Sequence, residues 1–352
     1  MNKINKYNLF GVLAVLMASL LASCNNDAPD YEDKVPVKFS AIINNDTWNN
    51  EARSNIGKWS IDEFVSGDEI VVNGWALGSG ESFGTPNFMN AQSMSYSGSS
   101  WDYSPEKYMT NIVDQTYSFY AYNVNETVTE KCVLGGNNSA TGYSSMIFSN
   151  CGDWVKDVLV APMVIYDDSA LKNNNGLIPF QFYHIMARLK VKVRFMPIND
   201  DESMLLNKLE YWWHSSGGTF TGFNSNNEPQ WSDIVMTGDG VYENGNDNGY
   251  VINKGEDYVE LTDFTRCQIP FKSPCKDTET KDRYTEMDVF VTYAGDAEQI
   301  KYEIDDLEFD LKAGYTTTFY VTFTGKGVEM KIENDNSSSN WWSESSSIVE
   351  TF

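Results

Sequence analysis

Leu177 to Phe195 reads LIPFQFYHIMARLKVKVRF, with Phe180, Phe182, His184 and Met186, then Leu189, Val191, Val193 and Phe195, at every second position. A period of two places these side chains on one face of an extended strand, whereas a helix would need a repeat near 3.6. The phase slips near Ala187-Arg188, and such a slip predicts a bulge or bend in one long strand. The same alternation appears on either side. Val35, Val37, Phe39, Ala41 and Ile43 share one face. In Thr116 to Val124 (TYSFYAYNV), Tyr117, Phe119, Ala121 and Asn123 take one face and Ser118, Tyr120 and Tyr122 the other. β-Branched and aromatic residues suit a pleated surface. Glu69–Leu77, Lys208–Ser215, Asp288–Ala294, Lys301–Leu311 and Thr316–Thr324 read as further strands, the last after the turn Lys312-Ala313-Gly314. Asp157–Ile165 (DVLVAPMVI) is another apolar run, interrupted by Pro162, while Gly78–Trp101 reads as loop or short edge strand. Strands at short spacing with few helix signals predict an all-β chain built of antiparallel β-sandwiches.

A chain of 352 residues exceeds what one domain usually holds. Tyr166–Gly176 (YDDSALKNNNG) has the composition of a linker. The boundary is therefore expected there, with an N-terminal sandwich over 35–168 and a C-terminal one over 169–352.

The first residues have a different purpose. Lys3 and Lys6 precede an uncharged apolar run from Leu9 to Leu21, which ends in Leu20-Leu21-Ala22-Ser23-Cys24. That run is too short to span a hydrocarbon core of about 30 Å but suits a secretory signal. Leu-Ala-Ser-Cys resembles the bacterial lipobox, so residues 1–23 are expected to be removed and Cys24 acylated. Acyl chains contribute about 0.8 kcal/mol per buried CH₂, enough for several chains to hold a protein on a membrane. Residues 24–34 are polar and acidic and read as a flexible tether. Acidic residues just after the cysteine also resemble the surface-export signal of some Gram-negative lipoproteins.

Removing residues 1–23 takes away two lysines and no acid, leaving 23 cationic against 50 acidic residues and a net charge of −27. Phosphate would repel such a chain, so nucleic acid is excluded as a partner. Four cysteines follow Cys24. In an oxidising compartment the simplest connectivity is Cys132–Cys151 and Cys267–Cys275, one bridge in each half.

Further pieces recur in a definite order. Val37-Lys38-Phe39-Ser40-Ala41 precedes a loop with Arg53, then Trp59 and Gly67-Asp68-Glu69-Ile70. Tyr117–Tyr122, Asp157–Ala161, Ile178–Leu189 and Leu311–Tyr315 follow, the last before a final strand. Together with the lipobox they resemble the fimbrillin family, the fimbrial subunit lipoproteins of anaerobic Gram-negative bacteria. The resemblance implies two tandem transthyretin-like β-sandwich domains and assembly of pili by strand exchange. A protease would trim the N-terminal segment after a basic residue, here Arg53. The groove so opened would take the terminal strand of another subunit by β-augmentation. The expected donor lies after Lys326, with Ile348, Val349 and Phe352 in the exposed end. Members that serve as anchors or tips need not be trimmed.

Other motifs carry less. Gly80-Glu81-Ser82-Phe83-Gly84 fits the G-x-S-x-G pattern, but no amphipathic helix follows to form a nucleophile elbow. His184 and His214 are the only histidines, too few for an imidazole-rich zinc site, and His184 on an apolar face reads as a core residue. Asn244–Gly249 begins like a calcium loop yet has Gly255 at the twelfth position, where a carboxylate is needed. Asp168-Ser169-Ala170 is a short candidate for an O-glycan. Trp212-Trp213 and Trp341-Trp342 offer stacking surfaces for a sugar.

The residues thus point to a non-enzymatic lipoprotein on the outer-membrane surface, a fimbrial subunit that polymerises and adheres to a host or bacterial surface ligand. No metal or cofactor is expected. The alternative is a surface glycan-binding lipoprotein that does not polymerise.

Overall fold

The computed structural model describes residues 35–44, 63–109, 115–152, 155–197, 201–238, 249–276, 282–324, 327–335 and 347–348. The first elements are β1 (Lys38–Asn44), β2 (Glu69–Leu77), β3 (Met89–Tyr96), β4 (Trp101–Asp102) and β5 (Thr116–Val124). Next come α1 (Glu126–Lys131), β6 (Cys132–Asn137), β7 (Ser144–Phe148), β8 (Leu159–Asp167), α2 (Asp168–Asn173) and β9 (Leu177–His184). The chain continues with β10 (Ala187–Phe195), β11 (Ser203–Trp212), β12 (His214–Phe223), β13 (Pro229–Thr237), β14 (Tyr250–Asn253) and β15 (Val259–Glu260). Four short strands follow, β16 (Arg266–Gln268), β17 (Phe271–Ser273), β18 (Cys275–Lys276) and β19 (Asp282–Arg283). The last are β20 (Thr285–Tyr293), β21 (Ile300–Leu307), β22 (Phe309–Leu311), β23 (Thr316–Phe323), β24 (Val328–Asp335) and β25 (Ser347–Ile348).

The seven-stranded sheet β1-β9-β8-β5-β2-β3-β4 is covered on both faces at its centre. On one side Tyr117, Phe119 and Ala121 of β5 join Phe39, Ile178, Phe180 and Phe182 in a core. On the other, Tyr120 and Tyr122 join Trp75, Met146, Phe148 and Phe220 in a second core, under the four-stranded sheet β13-β12-β7-β6. The two faces of TYSFYAYNV are therefore both apolar because each has a core to fill. Gly74 of β2 has no room for a side chain, since a Cβ there would lie 2.7 Å from the Phe119 ring.

A third core fills the space between β15-β10-β23-β24-β25 and β14-β11-β20-β21. Leu189, Val191, Val193 and Phe195 of β10, Leu206, Leu209 and Tyr211 of β11, and Phe319, Val321 and Phe323 of β23 all point into it.

The all-β expectation holds, with four departures. The phase slip at Ala187-Arg188 is no bulge. There the chain leaves β9 in the seven-stranded sheet and enters β10 in the next, and Ile185-Met186 is buried between them. Across the expected boundary at 168/169 the chain stays in one sheet. Tyr166–Gly176 contains α2, whose N-cap Asp167 accepts from the Ala170 N–H at 2.6 Å, and the chain then returns to the same sheet as β9. Capping of a short helix needs the same Asp, Ser and Asn residues that make a linker look polar. Pairing of β7 with β12 further joins strands from both sides of that boundary in one sheet. Not every pair is antiparallel: β1 runs parallel to β9 and β10 parallel to β23. These partners are distant in sequence, so no hairpin turn sets their direction. Finally, Gly78–Trp101, expected as loop or short edge strand, contains the eight-residue β3, which pairs on both sides, with β2 and β4, and buries Met89 and Met94.

Candidate functional site

The edge strand β1 and its lead-in present Phe39 and Val37 to the core, with Val35, Ala41 and Ile43 partly buried beside them, and turn Lys38 and Ile42 outward. Its inward set is the one the period of two predicts. Phe39 stacks on Phe180 with ring centroids 5.5 Å apart and meets the edges of Tyr103 and Phe119 at 5.8 and 5.9 Å. Such aromatic pairs add about 0.5–1.5 kcal/mol beyond area burial.

The backbone is gripped from two sides. From Lys38↔Leu177 to Asn44↔Tyr183 it follows β9 in parallel register. On the other flank the Val37 N–H donates to Lys107 O at 2.9 Å, and the Met109 N–H to Val35 O at 3.1 Å. The Tyr103 hydroxyl donates to Val37 O at 2.7 Å, and burial pushes that phenol above its ordinary pKa, which keeps it a donor. Gly176, at φ +73°, passes so close that a Cβ would sit 2.1 Å from Pro36 O, while its own carbonyl accepts from the Lys38 N–H at 2.8 Å. Sequence reading missed Tyr103, Lys107–Met109 and Gly176 as the holders of this strand. Only the NNNG turn hinted at the last.

At the other end of the chain, β24 pairs with β23, and the two-residue strand β25 lies along its outer edge as Met330↔Ile348 and Lys331↔Ser347. Of the expected donor residues, Ile348 is placed there. Val349 and Phe352 fall outside the described residues, as do Cys24, Arg53, Trp341, Trp342 and the Asn244–Asn248 loop.

The remaining candidates are engaged within the fold. Trp212 donates its indole N–H to Asp288 at 3.1 Å. Trp213 turns the corner between β11 and β12 at φ 54°, and the Arg283 guanidinium lies 4.8 Å from its ring centroid. Gly238 packs on the same ring, where a Cβ would come within 2.8 Å of a ring carbon. Both tryptophans are half-buried.

Ser82 lines a shallow hollow of about 480 Å³ with Trp75, Leu77, Glu81, Thr85 and Asn87, among which no histidine stands to act as a base. His184 is a core residue as expected, with Nδ1 2.6 Å from the buried carboxylate of Asp157. Among the described residues no three His, Cys, Asp or Glu side chains converge as a metal site, and no helix is long and apolar enough to cross a membrane.

The expected disulfides are not formed, and Cys132, Cys151, Cys267 and Cys275 all stand as thiols. Burial, and Cys151 beside it, push the Cys132 thiol up to about 12, which disfavours the nucleophilic thiolate. Cys267 packs in the same core as Cys151 rather than with Cys275, whose thiol faces Arg283 O across the β18–β19 hairpin.

One electrostatic feature lies outside these expectations. Glu210, Asp288 and Glu303 stand directly opposite one another across β11, β20 and β21, an arrangement that costs stability. Lys208 pairs with Glu210, and Lys301 reaches Asp288 at 3.0 Å and Glu303 at 2.6 Å. Glu286 is held above its ordinary value of 4.5 by burial first and then by Asp305, Asp288, Asp306 and Glu303. A carboxyl whose folded pKa is raised binds its proton more tightly in the native state. Its penalty is therefore present above that raised pKa and absent below 4.5. Glu286→Gln should raise the melting temperature at pH 7, with the gain shrinking to nothing as the pH falls through the carboxylate range. Thermal scans across pH check this; a gain that persists at low pH would refute it.

These sheets define a class of multi-sheet β-sandwich protein with a separately held strand at the N-terminal edge. The model of the fimbrillin-like family matches residues 58–341, and the chain belongs to that family. The matched span begins after β1 and Arg53. No curated protein matches the chain. Among solved structures, a fimbrial protein from Bacteroides vulgatus superposes with a TM-score of 0.56 at 15% identity, covering 86% of this chain and 99% of its own. A protein from Bacteroides ovatus assigned to cell adhesion superposes with a TM-score of 0.50 at 14% identity, covering 87% and 98%. At such identities the likeness establishes the fold.

Proposed function

We propose that this chain is a fimbrial subunit of the bacterial surface, held at the outer membrane through an acylated Cys24 and joined to other subunits by strand exchange. The observation that carries the reading is the seating of β1. It is an edge strand with a strictly alternating apolar face, it pairs with β9 while its lead-in Val35–Val37 is bonded to Lys107–Met109, and the chain leads from it into the span that contains Arg53. Cleavage after Arg53 would leave β1 bound only by non-covalent contacts. It would also separate the body from Cys24. A trimmed subunit therefore needs a neighbour to hold it at the surface, whereas an untrimmed one keeps its own anchor.

Family membership supports a fimbrial or adhesive role and a non-enzymatic one. The glycan-binding alternative has less support, because Trp212 and Trp213 are already engaged by Asp288 and Arg283. Limited cleavage with an arginine-specific protease, followed by sizing, tests the reading: a ladder of oligomers is expected, and a cut protein that stays monomeric rejects exchange. The anchor has its own test. Cys24→Ala should abolish fatty-acid labelling and release the protein from the membrane fraction, and unchanged retention would reject it.

A further inference from the structure

β6 is the outer strand of β13-β12-β7-β6 and pairs on one side only, with β7, among the described residues. Its sequence, CVLGGN, contains no charged residue and no proline. Val133 is 65% exposed, Leu134 44%, and Ile147, directly opposite Val133 on β7, 44%. Edge strands are normally protected by charges, proline or bulges. The opposite edge of this sheet has such protection: β13 starts at Pro229, carries Asp233 at φ 52°, and meets β12 with three register shifts. On β6 the irregularity falls between Leu134 and Asn137, at Gly135-Gly136, and leaves Cys132–Leu134 in regular pairing.

We propose that β6 is a self-docking edge, on which a second copy of this chain lays its own β6 antiparallel to extend the sheet across both molecules. The choice of occupant follows from charge. Copies of a mature chain with 23 cationic and 50 acidic residues, a net charge of −27, repel each other over most of their surface, and an uncharged strand is where they approach without opposing carboxylates. A strongly charged partner would find nothing here to bind. In a pair centred between Val133 and Leu134, Glu130 of one copy falls at the register of Asn137 of the other, not of another acid. Lys131, the other charge beside the strand, has its ammonium on Asn150 O at 2.6 Å.

The contact is small. One six-residue strand with three apolar side chains covers less than the roughly 800 Å² per partner of a stable complex. A single pair is therefore weak. On filaments, where many copies stand in line, repeated contacts add through effective concentration and bring neighbouring filaments side by side. That last step rests on the fimbrial reading; the pairwise contact does not.

The test uses the untrimmed mature chain with Cys24→Ala, in which strand exchange does not operate. Sedimentation should show a reversible monomer–dimer equilibrium with a Kd of about 0.1–1 mM, tightening as salt screens the mutual repulsion. Val133→Lys and Leu134→Lys, both exposed and so tolerated by the fold, should each weaken it about tenfold or more. Val235→Lys on β13, where Val235 is 55% exposed, should leave it unchanged. No association at high salt, association equally strong in the β6 variants, or equal loss in Val235→Lys would overturn the proposal. A dimer in protein that forms no ladder after cutting would keep the contact and reject the fimbrial reading instead.

Discussion

Arg53→Ala should leave the protein monomeric under an arginine-specific protease that converts the natural sequence into an oligomer ladder, and deletion of residues 345–352 should remove the ladder without preventing the cut. The energetics explain why the effect is large. Val37 and Phe39 are only 2% and 6% exposed in place. Burying a side chain of this kind contributes about 1.5–3 kcal/mol. When β1 leaves, the polar groups of β9 and of Lys107–Met109 also lose their partners, at about 1–3 kcal/mol for each that stays buried and unmet. An empty seat is therefore strongly unfavourable, and β1 departs only as another strand arrives. The incoming strand must put a large residue into the box of Phe180, Phe119 and Tyr103. Sizing of wild type and both variants after identical digestion decides the matter. Ladders of equal length in all three would exclude the C-terminal segment as donor and Arg53 as the controlling cut.

Asp157→Ala should destabilise the body by about 1–3 kcal/mol or more, since it takes from buried His184 a hydrogen-bond partner that water cannot replace there. The side chains of His184 and Asp157 are 1% and 0% exposed. Around them Asp157 O accepts from the Asn125 side chain at 2.6 Å, the Leu159 N–H donates to Asn123 Oδ1 at 2.9 Å, and the Ile185 N–H donates to Val158 O at 3.0 Å. One small network thus ties the end of β5, the cap of α1, the start of β8 and the end of β9. It stands where the chain passes out of the seven-stranded sheet. Against a typical total stability of about 5–15 kcal/mol, the loss would show as a large shift in the urea midpoint. His184→Ala should behave alike, and the double variant should cost less than the sum of the two, as expected for groups in contact. A loss below about 1 kcal/mol in either single variant would mean that the pair is not a structural tie.

The sequence by itself determined the β class, the inward faces of β1, β5, β9 and β10, and the place of His184 in a core. Each of these follows from side-chain direction, which alternates along any strand whatever lies beside it. The same period cannot tell a strand covered on one face from one covered on both, so TYSFYAYNV did not announce two cores. Nor could it distinguish a bulge from a change of sheet, and the slip at Ala187-Arg188 is the latter. The linker-like Tyr166–Gly176 became a capped helix because Asp167 and Gly176 act through backbone geometry that composition does not record. Only the tertiary structure decided that β1 runs parallel to β9, that Tyr103 and Lys107–Met109 hold its other side, and that Cys267 shares a core with Cys151. Those are choices of partner between segments far apart in the chain, where many pairings satisfy the same local pattern and the packing of whole cores selects among them.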